Sequence, residues 1–336
     1  MAGEVHAPES FSNLNIGRIE RIGMYTFFSE TVMILKQYWL HFHGMIPPEF
    51  LNLNLKELTD ITGRSPALWT TAVFILGCSI GSFLNVCIWR MPRGESLFYP
   101  PSHCPKCGHH IRFYENIPLL SYLCLRGKCS QCKLGISPRY FLVELLTGLL
   151  FGLVFLRLMV QEAVPSLLPF YCILTAILVT IAFTDCDSHL IPDELTGLAL
   201  LCGLIYAFLF PAFWGQTEHL AGFRLSFFTG VFTALIFSGV ALLGRLIFRR
   251  DAFGWGDVKY LTAIAVCVGG RGLFFVLLAG CILSLLGVVF RNLILRRRRR
   301  AIAFGPFLSV AFYLWLLFSR EIIHWYQMQL TKLAGL

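Results

Sequence analysis

Charged residues are scarce in this chain of 336 residues. Aspartate, glutamate, lysine and arginine make up 14% of it, whereas a typical soluble domain contains about 25%. Too few polar side chains remain to cover a globular exterior in water, which excludes an ordinary soluble enzyme. The 56% apolar content equally excludes a disordered protein.

The apolar residues occur in blocks of about 20, which is the length of helix that crosses a bilayer. This pattern predicts an all-α polytopic membrane protein with about eight transmembrane helices. A short sixth span is the least regular of them. The predicted spans are Leu68–Trp89, Tyr140–Val160, Ser166–Thr184, Leu195–Phe213, Leu225–Phe248, a short span beginning near Asp257, Leu273–Leu295 and Phe304–Phe318.

The spans divide the chain into an N-terminal extension, a first transmembrane helix, a polar loop, a membrane core and a C-terminal tail. Part of the extension, Tyr25–Met45, is apolar but is interrupted by Glu30 and Lys36. We therefore interpret it as an interfacial or packed helix rather than a span. The predicted boundaries of the five parts are 1–65, 66–90, 91–139, 140–320 and 321–336.

Basic residues are concentrated in alternate connections between the spans. The loop 91–139 is rich in lysine and arginine, and a later connection carries the run Arg296–Arg300, whereas the connections 161–165 and 215–222 contain neither. Because basic loops stay in the cytoplasm, this loop is predicted to be cytoplasmic and both termini to lie outside. The net charge of +9 is then explained by contact with membrane lipid, and no nucleic-acid partner is expected.

The polar loop contains two Cys-x2-Cys pairs, Cys104 with Cys107 and Cys129 with Cys132, separated by 21 residues. Two such pairs can place four thiolates tetrahedrally around Zn²⁺. Disulfides are the alternative, but they are disfavoured in the reducing cytoplasm. Four thiolates leave no open coordination position, so a structural zinc site is predicted. Cys124 is expected to pack, and substitution by the loop histidines His103, His109 or His110 remains an alternative.

Two aspartates, Asp185 and Asp257, stand at the predicted cytoplasmic ends of their spans. An ionisable group there is costly unless it faces a cavity or a partner. Two such carboxylates that share one proton can hydrolyse a peptide bond, since one activates water and the other donates to the carbonyl oxygen. Simple helix caps are the alternative interpretation. Asp187 and Asp193 are competing carboxylates, and His189 is expected to be a loop residue.

The chain resembles the bacterial type IV prepilin peptidases over about residues 66–320. The resemblance rests on motifs that occur in the order of that family. These are Gly81–Val86 with Arg90–Pro92, the four cysteines, Asn116–Tyr122, Ile136–Tyr140 with Val143–Gly148, Asp185 with Ile191–Asp193, Gly254–Lys259 and Phe304–Phe307.

The resemblance implies an eight-span aspartic endopeptidase of the Gly-x-Gly-Asp type in the bacterial inner membrane. Asp185 and Asp257 are then the catalytic pair, facing the cytoplasm. The implied substrates are prepilins or type II secretion pseudopilins, which lose a short basic leader after a glycine. Members that carry the cysteine loop also methylate the new N-terminus with S-adenosylmethionine, so this second activity is expected.

A non-enzymatic membrane scaffold or transporter with a zinc-stabilised cytoplasmic loop is the alternative function. It would explain the spans, the cysteines and the basic loops. It would not explain why two aspartates stand at one membrane depth. Transporters also often show repeated halves, and no repeat is evident in this sequence.

Overall fold

The computed structural model describes residues 66–104, 106–160, 167–249, 253–293 and 303–333. The predicted interfacial helix of the extension and the run Arg296–Arg300 lie outside these residues. Within the described ranges the chain is helical, and its only β-type pairings are two isolated bridges in the polar loop. The α-helices of these ranges are α1 (Pro66–Arg90), α2 (Leu120–Cys124), α3 (Pro138–Val160), α4 (Leu167–Ser188), α5 (Asp193–Leu209), α6 (His219–Phe248), α7 (Trp255–Leu293) and α8 (Gly305–Leu333).

The predicted all-α membrane fold is confirmed, and the chain is a multi-pass membrane protein. Six of the described helices (α1, α3, α4, α6, α7 and α8) are long and apolar enough to cross a bilayer. The count differs from the predicted eight for two reasons. Helix α5 has 17 residues and therefore spans about 26 Å, slightly less than a hydrocarbon core. The predicted sixth and seventh spans are both present, as two helical parts, 255–268 and 270–293, that meet at a kink at Gly269 (φ 73°, ψ 177°) and are counted together as α7.

Helices α1 and α3 pack against each other through small residues. Ideal Cβ atoms on Gly77 and Gly81 of α1 would lie 2.8 Å from the Cα atoms of Gly148 and Glu144 of α3. Glycines four residues apart place two helix backbones in direct contact, as in other membrane helix pairs. Asn85 of α1 also donates hydrogen bonds through its side-chain amide to the carbonyl oxygens of Gly81 and Tyr140, 3.3 and 3.1 Å away.

Helix α4 is the most enclosed span, because 61% of its apolar window is buried, against 11% for α6 and α7. It packs with α8, α1 and α3, while α7 packs with α5, α6 and α8. The core between α4, α7 and α8 includes Leu174, Ile181, Ile264, Leu308 and Phe312, each at most 1% exposed. This packing fixes the relative positions of the ends of α4, α7 and α8.

Candidate functional site

The structure brings the four predicted metal-binding cysteines together in the loop. The Sγ atoms of Cys104, Cys107, Cys129 and Cys132 all lie within 4.8 Å of one another. Two of the sulfur pairs, Cys104 with Cys132 and Cys107 with Cys129, are 3.9 Å apart. Tetrahedral Zn²⁺ at its usual thiolate distance requires about 3.8 Å between sulfurs. The donor set and its spacing therefore fit a structural zinc ion.

The two cysteine pairs have the same local backbone geometry. The carbonyl oxygen of Cys104 accepts the N–H of Gly108 at 2.9 Å, and that of Cys129 accepts the N–H of Lys133 at 3.1 Å. Gly108 and Lys133 both have positive φ, 72° and 57°. The second turn therefore places a lysine at the position of positive φ that glycine occupies in the first.

The thiols of the loop cysteines differ in how readily they ionise. Backbone N–H groups of Lys106 and Cys107 lower the pKa of the Cys104 thiol to about 6. The N–H of His109 lowers the pKa of Cys107, but burial and the neighbouring cysteines raise it overall to about 11. Four ionised thiolates this close together would repel one another. A bound cation would therefore stabilise all four. Cys124 is exposed and lies outside the group.

The loop histidines are not members of the cysteine group. Nε2 of His109 instead lies 3.1 Å from Oε2 of Glu115. The same Oε2 accepts the N–H of Arg112 at 3.0 Å. This N–H, together with Ser130 and His109, lowers the pKa of Glu115 to about 2. Glu115 therefore connects the segment after the first cysteine pair to His109, two residues beyond Cys107.

Asp185 lies in the last turn of α4 and is 6% exposed. Its Oδ2 accepts a hydrogen bond of 2.8 Å from the N–H of Gly305, the first residue of α8. A Cβ atom on Gly305 would lie 2.6 Å from the same oxygen. Only glycine lets the backbone approach the carboxylate this closely, and the N-terminus of α8 adds a favourable dipole.

Asp257 lies in the first turn of α7, partly exposed. A Cβ atom on Gly254 would lie 3.0 Å from Oδ2 of Asp257, and one on Gly256 would lie 3.4 Å from Cβ of Ile191. Both glycines of the Gly-x-Gly-Asp motif therefore permit close packing around this aspartate. Asp185 lies close enough to Asp257 for the two carboxyl groups to interact through their charges.

The competing carboxylates point to other partners. Asp187 forms an ion pair with Arg139 at the start of α3. Asp193 accepts two hydrogen bonds from Nζ of Lys259, at 2.7 and 2.8 Å, on an exposed surface. His189, with φ of 52°, lies in the turn that ends α4, as expected of a loop residue. These contacts distinguish Asp185 and Asp257 from their neighbours.

Sequence reasoning missed two features of this site. It did not identify Gly305 as a donor, although the Phe304–Phe307 motif was noted. It also missed the buried hydrogen bond of 2.8 Å between the hydroxyls of Tyr260 and Ser309, which joins α7 and α8 one turn beyond Asp257 and Gly305. Buried hydroxyls in an apolar span were the only available signal, and they do not reveal their partners.

A cavity of about 440 Å³ lies away from the aspartates. Its lining includes Tyr171, Trp214, Gly269, Arg271 and Trp315. Tyr171 and Asp185 are both on α4, and the rise of a helix separates them by about 21 Å. The cavity therefore belongs to the other end of the helices and takes no part in the arrangement of the aspartates.

Comparison with known proteins supplies independent findings. The family model described as the bacterial peptidase A24 N-terminal domain matches residues 75–158, and the type IV leader peptidase family matches residues 172–290. The chain is 40% identical over 207 residues to a prepilin leader peptidase/N-methyltransferase of Myxococcus xanthus, a match that covers 61% of this chain and 58% of the relative.

Longer matches are found to proteins of the same name. Identity is 34% to the Aeromonas salmonicida protein and 33% to that of Pseudomonas aeruginosa, and each match covers 80% of this chain and 97% of the relative. No solved structure matches the chain.

Proposed function

Because the chain belongs to the type IV leader peptidase family, we propose that it removes the basic leader of prepilins or type II secretion pseudopilins. It is a membrane-embedded aspartic endopeptidase in this proposal, with its active site and cysteine loop facing the cytoplasm from the bacterial inner membrane. It then methylates the new N-terminus. A non-enzymatic scaffold or transporter is not favoured, since the relatives are named as enzymes.

The observation that carries the peptidase proposal is that Asp185 and Asp257, at the ends of two helices, are close enough for their charges to interact. Two neighbouring carboxylates cannot both ionise easily, so the pair retains one proton. The ionised member takes a proton from water as the water attacks the scissile carbonyl. The protonated member donates to the carbonyl oxygen and then to the leaving amine. No serine or cysteine nucleophile is required.

The hydrogen bonds favour one assignment of the two roles. Asp185 accepts the N–H of Gly305, and such a bond is stronger to a carboxylate than to a carboxylic acid. No described residue donates a hydrogen bond to Asp257, which is also the more exposed of the two. Asp185 is therefore assigned as the base that activates water, and Asp257 as the acid that begins with the proton.

The cysteine loop has a structural role in this proposal. Cys104, Cys107, Cys129 and Cys132 would hold one Zn²⁺, which would cross-link the two ends of the loop and leave no position for substrate. The N-methyltransferase part of the relatives' name implies S-adenosylmethionine as methyl donor. That donor supplies an electrophilic methyl group to the free amine exposed by cleavage. Its binding residues are not assigned.

The experiment that tests this function is mass spectrometry of a prepilin co-expressed with the chain. The expected product lacks its leader and carries one methyl group on the new N-terminal amine. The control is co-expression with the Asp257→Asn variant, which should leave the prepilin intact. An unprocessed prepilin in the presence of the folded wild-type protein contradicts the proposal, and a cleaved but unmethylated product limits it to peptidase activity.

A further inference from the structure

Glu144 is a carboxylate in the second turn of the membrane helix α3 whose contacts have no part in the aspartate chemistry. Its Oε2 accepts the backbone N–H of Leu119 in the cysteine loop at 2.8 Å. The Ser82 side chain of α1 lies near the same carboxylate. Within the described part of the chain, no cation pairs with it. A carboxylate is costly in a span, so one that binds a loop amide is expected to have a function.

The loop residue that Glu144 holds has a strained backbone. Leu119 has φ of 61° and ψ of −50°, a region that branched side chains rarely occupy. The N–H of Leu120 donates to the carbonyl oxygen of Pro118 at 2.6 Å, which closes a three-residue turn around Leu119. In this turn the N–H of Leu119 points away from the loop and towards α3. The hydrogen bond to Glu144 thus compensates a conformation that the loop sequence alone disfavours.

The contact lies between the two cysteine pairs. The segment 108–128 connects them, and its Tyr122 ring packs on Phe141 of α3 with 5.4 Å between ring centres. Phe141 and Glu144 are three residues apart and therefore share one face of α3. The N–H of Ile136 donates to the carbonyl oxygen of Gly127 at 2.7 Å, which joins this segment to the end of the loop. One helix face therefore holds the centre of the loop by one charged and one aromatic contact.

We propose that Glu144 is a positioning residue that fixes the cysteine loop on the membrane helices through the N–H of Leu119. The proposal rests on the proposed function, in which the aspartates serve cleavage, and adds to it that the loop serves methylation, as the occurrence of the loop in methylating members of the family implies. Glu144 does not touch the reacting atoms. It sets where the loop stands relative to the N-terminus that cleavage exposes, so its loss separates the two activities.

The test compares Glu144→Ala with Glu144→Gln in the full-length protein in lipid nanodiscs. Alanine removes the acceptor, so methylation of a cleaved pilin should fall about tenfold, mainly through a higher KM, while prepilin cleavage stays within about threefold. Glutamine keeps an acceptor oxygen at the same reach and should restore most of the methylation. Ser82→Ala is the matched control, because it changes a neighbour of Glu144 on α1 and leaves the bond to Leu119.

A second substitution tests the strained turn itself. Glycine adopts positive φ without the steric penalty of leucine, so Leu119→Gly should reduce the methylation defect of Glu144→Ala when the two are combined. Leu119→Ala should not do so, because alanine retains the Cβ atom. An equal defect in the Glu144→Ala single variant and in its combination with Leu119→Gly would contradict the role of the turn.

Hydrogen exchange gives a measurement that does not depend on either activity. The amides of residues 117–124 should exchange faster in Glu144→Ala than in wild type or Glu144→Gln. Unchanged exchange in Glu144→Ala, or an equal loss of cleavage and methylation, overturns the proposal. A wild-type protein that cleaves no prepilin refutes the proposed function instead, and the exchange result still decides whether Glu144 holds the loop.

Discussion

The cysteine group and the aspartate pair differ in how much of the chain each one needs. The cysteines lie within residues 104–132, and each pair is shaped by its own turn. The aspartates come from the ends of α4 and α7, and the N–H that binds one of them comes from α8. The first arrangement is local and depends on a cation, whereas the second depends on how three membrane helices pack.

This difference has consequences for how each site fails. A local metal site loses its structure when one ligand or the metal is removed, because the loop has little core of its own. The aspartate pair is held by buried helices, so its geometry survives changes in the loop but not changes where α8 meets α4. Substitutions that affect one site and spare the other are therefore the sharpest tests of the comparison.

The largest effect is expected from the aspartates themselves. Asp185→Asn and Asp257→Asn, made separately, should each reduce the rate of leader removal by about 10³-fold, the scale of a lost general acid or base. Leader removal from a purified prepilin measures this. Asp187→Asn and Asp193→Asn are the matched controls and should remain within about threefold, because neither contributes to the pair in our proposal. Full processing by either Asp185→Asn or Asp257→Asn would refute the assigned pair.

The next effect comes from the contact between α8 and Asp185. Gly305→Ala places a Cβ atom where the structure leaves 2.6 Å to Oδ2 of Asp185, so the helix end or the carboxylate must move. Cleavage should fall by about 10²-fold, the usual result of misplacing a catalytic group by about 1 Å. The kcat for leader removal reports it. Gly197→Ala, a helical glycine with no neighbouring atom within 4 Å, should change little. Equal effects of Gly305→Ala and Gly197→Ala would show that cleavage does not depend on the close packing of α8 against Asp185.

The same difference explains what could be predicted from the sequence. The cysteine group was predictable because the spacing of two Cys-x2-Cys pairs is typical of four ligands around one metal ion. The helical membrane fold was predictable from the lengths of the apolar blocks. The break between the predicted sixth and seventh spans was also predictable, because Gly269 separates two helical parts of α7. The length of α5 was not, since this helix is slightly too short to cross a hydrocarbon core.

The environment of Asp185 was not predictable in the same way. Its position at a span end could be seen, but the donor to its carboxylate is 120 residues away and is a backbone group. A backbone N–H belongs to almost every residue type, so the sequence does not show which one donates. In this case the glycine at position 305 is the only sequence feature that indicates the donor. The bond between Glu144 and Leu119 was missed for the same reason, because one of its partners is also a main-chain N–H.

Disruption of the cysteine group should have a smaller effect on cleavage. Cys129→Ser, or removal of the metal by a chelator, should lower bound zinc from about one ion per chain to none. The loop 91–139 should then become sensitive to limited proteolysis, while cleavage falls less than tenfold because the helix core is unaffected. Elemental analysis and proteolysis measure these outcomes.

The control is Cys124→Ser, which changes an exposed cysteine outside the group; this variant should retain its zinc. Loss of cleavage as complete as in Asp257→Asn would show that the two sites are not independent.

The smallest effect is expected at the ion pair that joins α5 and α7. Lys259 follows Asp257 by two residues, but its side chain and that of its partner Asp193 are 49% and 68% exposed. An exposed pair contributes at most about 1 kcal/mol, since water solvates both charges and salt screens them. Lys259→Ala should therefore lower Tm by only a few degrees and keep cleavage within about twofold. Thermal unfolding and leader removal at low and high salt measure this.

Lys259→Arg is the control that keeps the charge. A much larger loss with alanine, restored by arginine, would mean that a surface charge helps to place Asp257, and the aspartate site would then depend on more than its buried helices.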